Sequence, residues 1–383
     1  MYFLYESLFW IIVIIVLYVY FGYPLLLLIL NKLCPAPKVK KAEITPTISL
    51  IIAAFNEEKV IAQKIKNTFE LEYPKDNLEI IVVSDGSTDS TNEIVKAFSE
   101  NRVKLVALKK NQGKSTAQNR AVDESNGEIL LFSDADVMLK KDVVKKLINN
   151  FSNENVGCVV GEITYTNEND TSVREGEGLY WRYELFLREK ESEVGNFAMG
   201  SGIMAIRQNL FQSLDPNVGE DFVLPLKTVI NGFKVIFEPE AVTETIMDQI
   251  SSTDMFRSKV RIISKDLRGL FLCREILNPF RYPSYAWGLI SHKLLRWLVP
   301  YFLIVIFIIN LSLLEQPFYL LTFIFQISFY TLAFGGFLWQ KKSKSPRILG
   351  IPFSFCLVNF AALVGVFRFI SGEKSGKWQP TRS

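Results

Sequence analysis

Two kinds of apolar pattern divide the chain. At its two ends, residues 8–30, 294–314, 317–339 and 349–370 run on almost without charge. Runs of about 20 apolar residues are long enough to cross a bilayer as helices. Between them the apolar runs shorten and alternate with polar, helix-forming stretches. Residues 47–54, 78–83, 103–107 and 128–134 predict buried strands, with helices over 57–71 and 114–123 between them. Further on, 157–163, 199–206 and 234–238 predict strands, 172–191 a charged helix across the site, and 221–230 another helix. Strands alternating with helices predict an α/β domain on a doubly wound parallel sheet.

The charges beside the long apolar runs predict how they are threaded. Only Glu6 precedes the first run, whereas Lys32, Lys38, Lys40 and Lys41 follow it, which places residue 32 onward in the cytoplasm. No basic start or small-residue cleavage site marks the run as a signal peptide, so it is expected to be retained. Lys293 and Arg296 then lie inside, Glu315 outside, and Lys341, Lys342, Lys344 and Arg347 inside again. A full crossing by the last run would leave Lys374, Lys377 and Arg382 outside. The segment with Pro352 is therefore expected to lie in the interface or to re-enter. The expected organisation is a membrane helix at 1–33, a cytoplasmic α/β domain at 45–250, basic helices at 251–292, membrane helices at 293–372 and a tail at 373–383. Such a chain is a multi-pass protein of the inner cell membrane. The five cations Arg257, Lys259, Arg261, Lys265 and Arg268 stand among apolar residues at helical spacing. They suit a helix on a membrane surface or an ordinary amphipathic one.

Composition narrows the chemistry. A net charge of +3 on 383 residues does not mark a polyanion binder, and no nucleic-acid partner is expected. The 30 Phe residues suggest apolar surface that faces lipid. Cys34, Cys158, Cys273 and Cys356 are too far apart for a zinc ribbon or a disulfide framework. The single histidine, His292, is expected only to flank a membrane helix. Ser-His-Asp, Cys-His and His-rich zinc chemistry are thereby excluded, and a general base must be Asp, Glu, Lys, Tyr or Cys.

In an open α/β sheet, ligands bind at the carboxyl ends of the strands. There the apolar run 129–132 meets Asp134 and Asp136, two carboxylates one residue apart. They repel unless a cation joins them. Mg²⁺ or Mn²⁺ suits such a pair and commonly carries a phosphate as well. Alone, such a pair is more often a strand-ending turn capped by Asp. Asn56, Glu57, Asp85 and Lys114 are expected at the same edge, with Asp85 able to accept from a base or ribose and Lys114 able to meet phosphates. Gly200, Ser201 and Gly202 form a glycine entrance that lets backbone approach a ligand, on the acceptor side. Glu220 and Asp221 open a helix. Taken alone they are an ordinary N-terminal carboxylate pair, but beside a metal–diphosphate site Asp221 becomes the candidate base.

Five motifs in order, Ala53-Ala-Phe-Asn-Glu-Glu58, Asp85-Gly-Ser-Thr-Asp89, Asn111-Gln-Gly-Lys114, Ser133-Asp-Ala-Asp136 and Gly219-Glu-Asp221, carry a resemblance over residues 45–270. The chain resembles membrane-embedded family 2 glycosyltransferases, the group that includes cellulose, hyaluronan and poly-N-acetylglucosamine synthases. The resemblance implies a Rossmann-like GT-A domain that uses a nucleotide-sugar donor, commonly a UDP-sugar, with Mg²⁺ or Mn²⁺. It implies that Ala53, Phe55, Asn56, Glu57, Asp85 and Lys114 meet the nucleotide, Asp134 the donor and Asp136 the metal. Asp221 would deprotonate a glycan or lipid-linked acceptor, with Glu220 beside it. The processive members carry Gln/Arg-x-x-Arg-Trp after the base. Here only Arg261 survives, Ile262 stands for the tryptophan, and Arg257 or Lys259 would supply the missing contact to the diphosphate. That departure favours addition of a single sugar to a lipid carrier over polymerisation. Trp378-Gln-Pro-Thr-Arg382 resembles the terminal signature of bacterial exopolysaccharide relatives, near the cytoplasmic face. The resemblance also allows an accessory membrane subunit as partner, and a non-catalytic subunit is the alternative from another class. A transporter would need polar chemistry inside the spans that these runs do not offer.

Overall fold

The computed structural model describes residues 2–34, 39–166, 172–195, 203–246, 251–339 and 346–374. The chain enters as α1 (Tyr2–Leu17) and α2 (Tyr23–Leu33), joined by a wider helical turn at Tyr18–Gly22. Eight strands follow: β1 (Ile48–Ala54), β2 (Leu78–Ser84), β3 (Val103–Ala107), β4 (Ile129–Asp134), β5 (Val137–Leu139), β6 (Val156–Thr166), β7 (Ile203–Arg207) and β8 (Lys234–Ile246). They form one sheet in the order β3-β2-β1-β4-β7-β6-β8-β5.

β1 to β4 pair in parallel as predicted. The sheet as a whole is mixed, which corrects the parallel expectation. β7 runs antiparallel to β4 and β6, and β5 antiparallel to β8. The reason lies in α7 (Ser172–Gly195), which precedes β7. A parallel strand needs a crossover packed on the sheet, but α7 packs chiefly on α2 and on the last helix of the chain.

β1 is buried on both faces, which explains its unbroken apolar sequence. Ile51 and Ala53 belong to the core on the face of α5 (Lys114–Asp123) and α8 (Glu220–Ile230). Leu50 and Ile52 belong to the core on the opposite face, with α3 (Ile61–Phe69), α4 (Thr91–Lys96) and α6 (Val143–Ile148). The basic helix, α9 (Ser252–Leu272), starts at Ser251, whose hydroxyl accepts from Asp254 N at 3.1 Å. It is neither a bare surface helix nor one laid only against lipid. Its Gly269 abuts Phe222 and Val223 of α8, and its Ile263 abuts Gly365 of the last helix.

α10 (Pro283–Gly288) leads into α11 (Leu295–Ser312), followed by α12 (Pro317–Trp339) and α13 (Arg347–Ile370). Tyr2–Leu33, Pro283–Ser312, Pro317–Trp339 and Arg347–Ile370 are each long and apolar enough to cross a membrane. The first three run side by side. At one end Tyr2 donates to Glu315 (3.2 Å) and Gln316 to Glu6 (2.7 Å). At the other, Tyr18 meets Ser291 and Trp287, both at 2.8 Å. Asn310 joins α11 to Gln326 (3.3 Å) and Thr322 (3.0 Å) of α12, polar contacts of the kind that hold apolar helices together.

α13 is placed differently. Leu349 and Phe353 lie against Gly336, near the end of α12. Phe355 meets Phe329 (5.6 Å) and Tyr20 (5.8 Å). Its last turns reach Tyr301, near the start of α11, and Phe271 of α9. Its first turns also lie beside Phe325 and Phe329, in the middle of α12, and the helix runs unbroken through Pro352.

His292 does more than flank a helix. It is buried between Glu191 (2.7 Å from Nδ1) and Glu184 (3.1 Å from Nε2) of α7. Tyr23 donates to the same Glu191 at 2.5 Å, and Arg296 pairs with Glu184. Those glutamates lie far from His292 in sequence, and this cluster ties α7 to the helices at both ends of the chain.

Candidate active site

The strand ends assemble the site. β1 ends at Ala54, and the loop Phe55–Glu58 that follows is knit to the loop after β2. Asn56 adopts a left-handed φ of 56°, a conformation that Asn tolerates better than most residues. Its Oδ1 accepts from Thr88 N (2.8 Å), and its own N–H donates to Ser87 Oγ (3.1 Å). Glu57 N donates to Thr91 Oγ1 (2.9 Å).

Asp85 is fully buried, and its two oxygens accept from Gln112 N and Gly113 N, each at 2.8 Å. It therefore fixes the Asn111–Lys114 loop, a structural duty that the motif alone did not reveal. Burial pushes its carboxyl up, and the two N–H groups oppose that shift.

The loop delivers Lys114 between two carboxylates. Its ammonium pairs with Asp134 at the end of β4 and with Glu220 (2.6 Å) at the start of α8. Asp221 lies beside them, and a cleft lined by Lys114, Ser133, Asp134, Met204, Glu220 and Asp221 opens between the strand ends and α8. The crowding of protein around Asp221, then the Glu220 carboxylate, pushes its carboxyl up to about 6. Asp221 is itself exposed to the cleft, so water screens part of that effect. Glu220, by contrast, is held low: burial opposes its ionisation, but Lys114 outweighs it. Neighbouring carboxyls driven apart in this way mark separate roles for the two.

Arg261 and Lys265, one turn apart on α9, bring positive charge towards Asp134 and towards Glu220 and Asp221 respectively. Arg257 is exposed and leans outward on Asp254 at 3.9 Å. Lys259 is half-buried on the same helix. Gly200, Ser201 and Gly202 lie outside the described residues.

Asp134 and Asp136 fit a divalent cation only in part. Among the described residues no three carboxylate, histidine or cysteine side chains converge as a complete metal cage. A pair that needs donor phosphates to complete the shell is the usual arrangement for Mg²⁺. Lys114 already shows that Asp134 is positioned to take a cation.

Sequence reasoning passed over Lys64 and Asp266, and counted Lys265 only among the cations of the basic helix. Lys64 is completely buried beneath the Asp134–Asp136 turn, where its Nζ donates to Ser133 Oγ (2.8 Å) and to the Val137 carbonyl. A cation between Ile61 and Ile65 on the apolar side of a short helix was the available signal. Lys64→Met keeps the volume and removes both bonds. It should weaken the apparent Mn²⁺ affinity of the protein about tenfold, as loss of a ligand-orienting partner does, with Mn²⁺ titration as the check.

The family model described as Glycosyl transferase family 2 matches residues 49–214. The probable glycosyltransferase YdaM of Bacillus subtilis is 34% identical over 214 residues, 52% of this chain and 50% of that protein. An N-acetylglucosaminyltransferase of Rhizobium meliloti is 27% identical over 256 residues, 61% of this chain and 60% of that one. A poly-beta-1,6-N-acetyl-D-glucosamine synthase of Staphylococcus epidermidis is 27% identical over 205 residues, 51% and 48% of the two chains. The chain thus spans about half the length of the curated relatives it matches. Among solved structures, the mannosyltransferase PcManGT from Pyrobaculum calidifontis, in complex with GDP-Man and Mn²⁺, superposes with a TM-score of 0.69. It covers 96% of this chain and 100% of its own at 19% identity, a likeness of fold. Residues 49–214 of this chain thus match the glycosyl transferase family 2 model, and the fold is the Rossmann-like GT-A fold.

Proposed function

We propose that the chain is an inverting membrane glycosyltransferase that moves a sugar from a nucleotide-sugar donor, a UDP-sugar first, to a hydroxyl of a glycan or lipid-linked acceptor. The observation that carries this reading is Asp221, a carboxyl raised to about 6 that faces the same cleft as Asp134. In the reaction the acceptor O–H bond breaks and its proton passes to Asp221. The oxygen forms a bond to the anomeric carbon from the face opposite the diphosphate, and the diphosphate leaves with the electron pair of the broken C–O bond. Asp134 and Asp136 would hold Mg²⁺ or Mn²⁺, whose charge neutralises the departing diphosphate. Lys114 and Arg261 would add positive charge at that side, and Phe55, Asn56 and Glu57 would meet the nucleotide. The names of the relatives, which include N-acetylglucosaminyltransferases, support UDP-N-acetylglucosamine as the donor to try first.

A non-processive transferase is the second reading, and Ile262 favours it. That residue is 49% exposed and lines no part of the cleft, so no aromatic wall frames a growing chain from that position. Product length separates the two. For the activity itself, the test is nucleoside-diphosphate release by the purified protein offered UDP-, GDP- and dTDP-sugars with Mn²⁺. Turnover of one donor is expected. Silence across the panel with lipid acceptors present would turn the assignment towards a non-catalytic subunit.

The catalytic domain is proposed to face the cytoplasm of a cell membrane crossed by three helices, with α13 along the cytoplasmic interface. The lysines that flank the spans support that orientation. Cysteines introduced at Ile348 and Gly372 should then label from the same side in oriented vesicles. Labelling from opposite sides would mean that α13 crosses.

A further inference from the structure

The loop that leads into Asp221 is held by a helix from the donor side of the sheet. α5 opens directly after Gln112 and Gly113, the residues that Asp85 fixes. Its second residue, Ser115, is buried, and its hydroxyl donates to the Val218 carbonyl at 2.7 Å. One turn on, Asn119 pairs with the backbone of Leu214 in both directions. Its Nδ2 donates to the Leu214 carbonyl and its Oδ1 accepts from the Leu214 N–H, each at 2.9 Å. Residues four apart on a helix share a face, so these two side chains grip the loop at two points. Lys114 and Gln118, the preceding pair at the same spacing, both reach Glu220. The whole approach to the base, from Leu214 to Glu220, is thus fastened to α5.

What this grip fixes is the place of the carboxylate. The Val218 carbonyl belongs to the peptide unit that ends at the Cα of Gly219. Asp221 folds back over that carbon, since a Cβ on Gly219 would lie only 2.7 Å from Asp221 Oδ1. The same point is 4.0 Å from Oδ1 of Asp266, a buried carboxylate of α9 that bounds the space on the far side. A shift of the Val218–Gly219 peptide therefore shifts the surface against which Asp221 rests. Ser115 holds that peptide directly, and Asn119 holds the loop where it begins.

We propose that Ser115 and Asn119 are positioning residues for the base: they hold the loop from Leu214 to Gly219 on α5, so that one helix sets both the donor-side loop and Asp221. The inference rests on the reading of Asp221 as the base and adds the residues that aim it. Neither side chain lines the cleft, so each acts through Asp221 and not on a substrate.

The test is a double-mutant cycle of Ser115→Ala with Asp221→Asn, read as UDP release from UDP-N-acetylglucosamine with Mn²⁺. Ser115→Ala should lower kcat about tenfold, as a small misplacement of a reacting group does, while the KM for the donor stays near the wild-type value. In the Asp221→Asn background it should cost nothing further. A residue that acts only through the base has no effect once the base is gone. Asn119→Ala, which loses both bonds to Leu214, should show the same pattern and serves as the probe if Ser115→Ala does not fold. A wild-type kcat in Ser115→Ala would overturn the proposal. So would an equal loss in both backgrounds, which marks a general structural effect. Should UDP-N-acetylglucosamine not turn over, hydrogen exchange of the protein without substrate gives the answer. Amides of 214–223 should exchange about tenfold faster in Ser115→Ala while those of β2 keep their rate, and unchanged exchange over 214–223 would refute the grip. Activity that survives Asp221→Asn would sink the base assignment itself. A dead Asp221→Asn beside a fully active Ser115→Ala would sink only the positioning role.

Discussion

Asp221→Asn should lose about a thousandfold in kcat, within the range that a positioned general base supplies, and should bind donor as the wild type does. The amide preserves the shape of the side chain but cannot take a proton, and with no histidine near the cleft no other imidazole can replace it. The variant should not melt earlier. A carboxyl whose pKa is raised on folding weighs against the folded state once ionised, so its contribution worsens as pH rises from the ordinary carboxylate range through about 6. The neutral amide removes that burden and relieves Glu220 of a like charge. Turnover, donor binding and a melting curve on one preparation check all three. A variant that loses activity together with stability would point to a structural role.

Removal of divalent metal should cost at least a hundredfold in turnover, since the charge on a departing diphosphate is worth several kcal/mol to neutralise. Mn²⁺ or Mg²⁺ added after chelation should restore it. Asp136→Ala should show a similar loss that excess Mn²⁺ repairs only weakly, yet should fold, because Lys114 and Lys64 hold the neighbouring turn without Asp136. Full activity after chelation would remove the metal from the mechanism and leave side chains such as Lys114 and Arg261 to counter the charge of the diphosphate.

Much of this arrangement is legible in local sequence. An apolar run that stops at two carboxylates is a strand ending at a sheet edge, and the other motifs fall after strands by the same grammar. What is not legible depends on partners distant in the chain. The direction of β7 follows from where α7 packs, and no residue in 203–207 encodes that. His292 looked like a flank because its two glutamates are far away on α7. Asp266 was hidden among five cations, although it falls in register with Ile263 and Leu270, and a carboxylate in that register was the available clue. Lys64 belongs to the same kind: a charge on a buried face, whose purpose depends on what lies above it.

The central claim is that Asp221 activates an acceptor for direct displacement at the anomeric carbon. The anomeric configuration of the first product, read by NMR from an α-linked nucleotide sugar before any equilibration, tests it most directly. A β-linked product is expected, since the acceptor must approach from the face opposite the diphosphate. An α-linked product would require attack from the same face or a covalent intermediate, and Asp221 could not then be the base of a single inverting step.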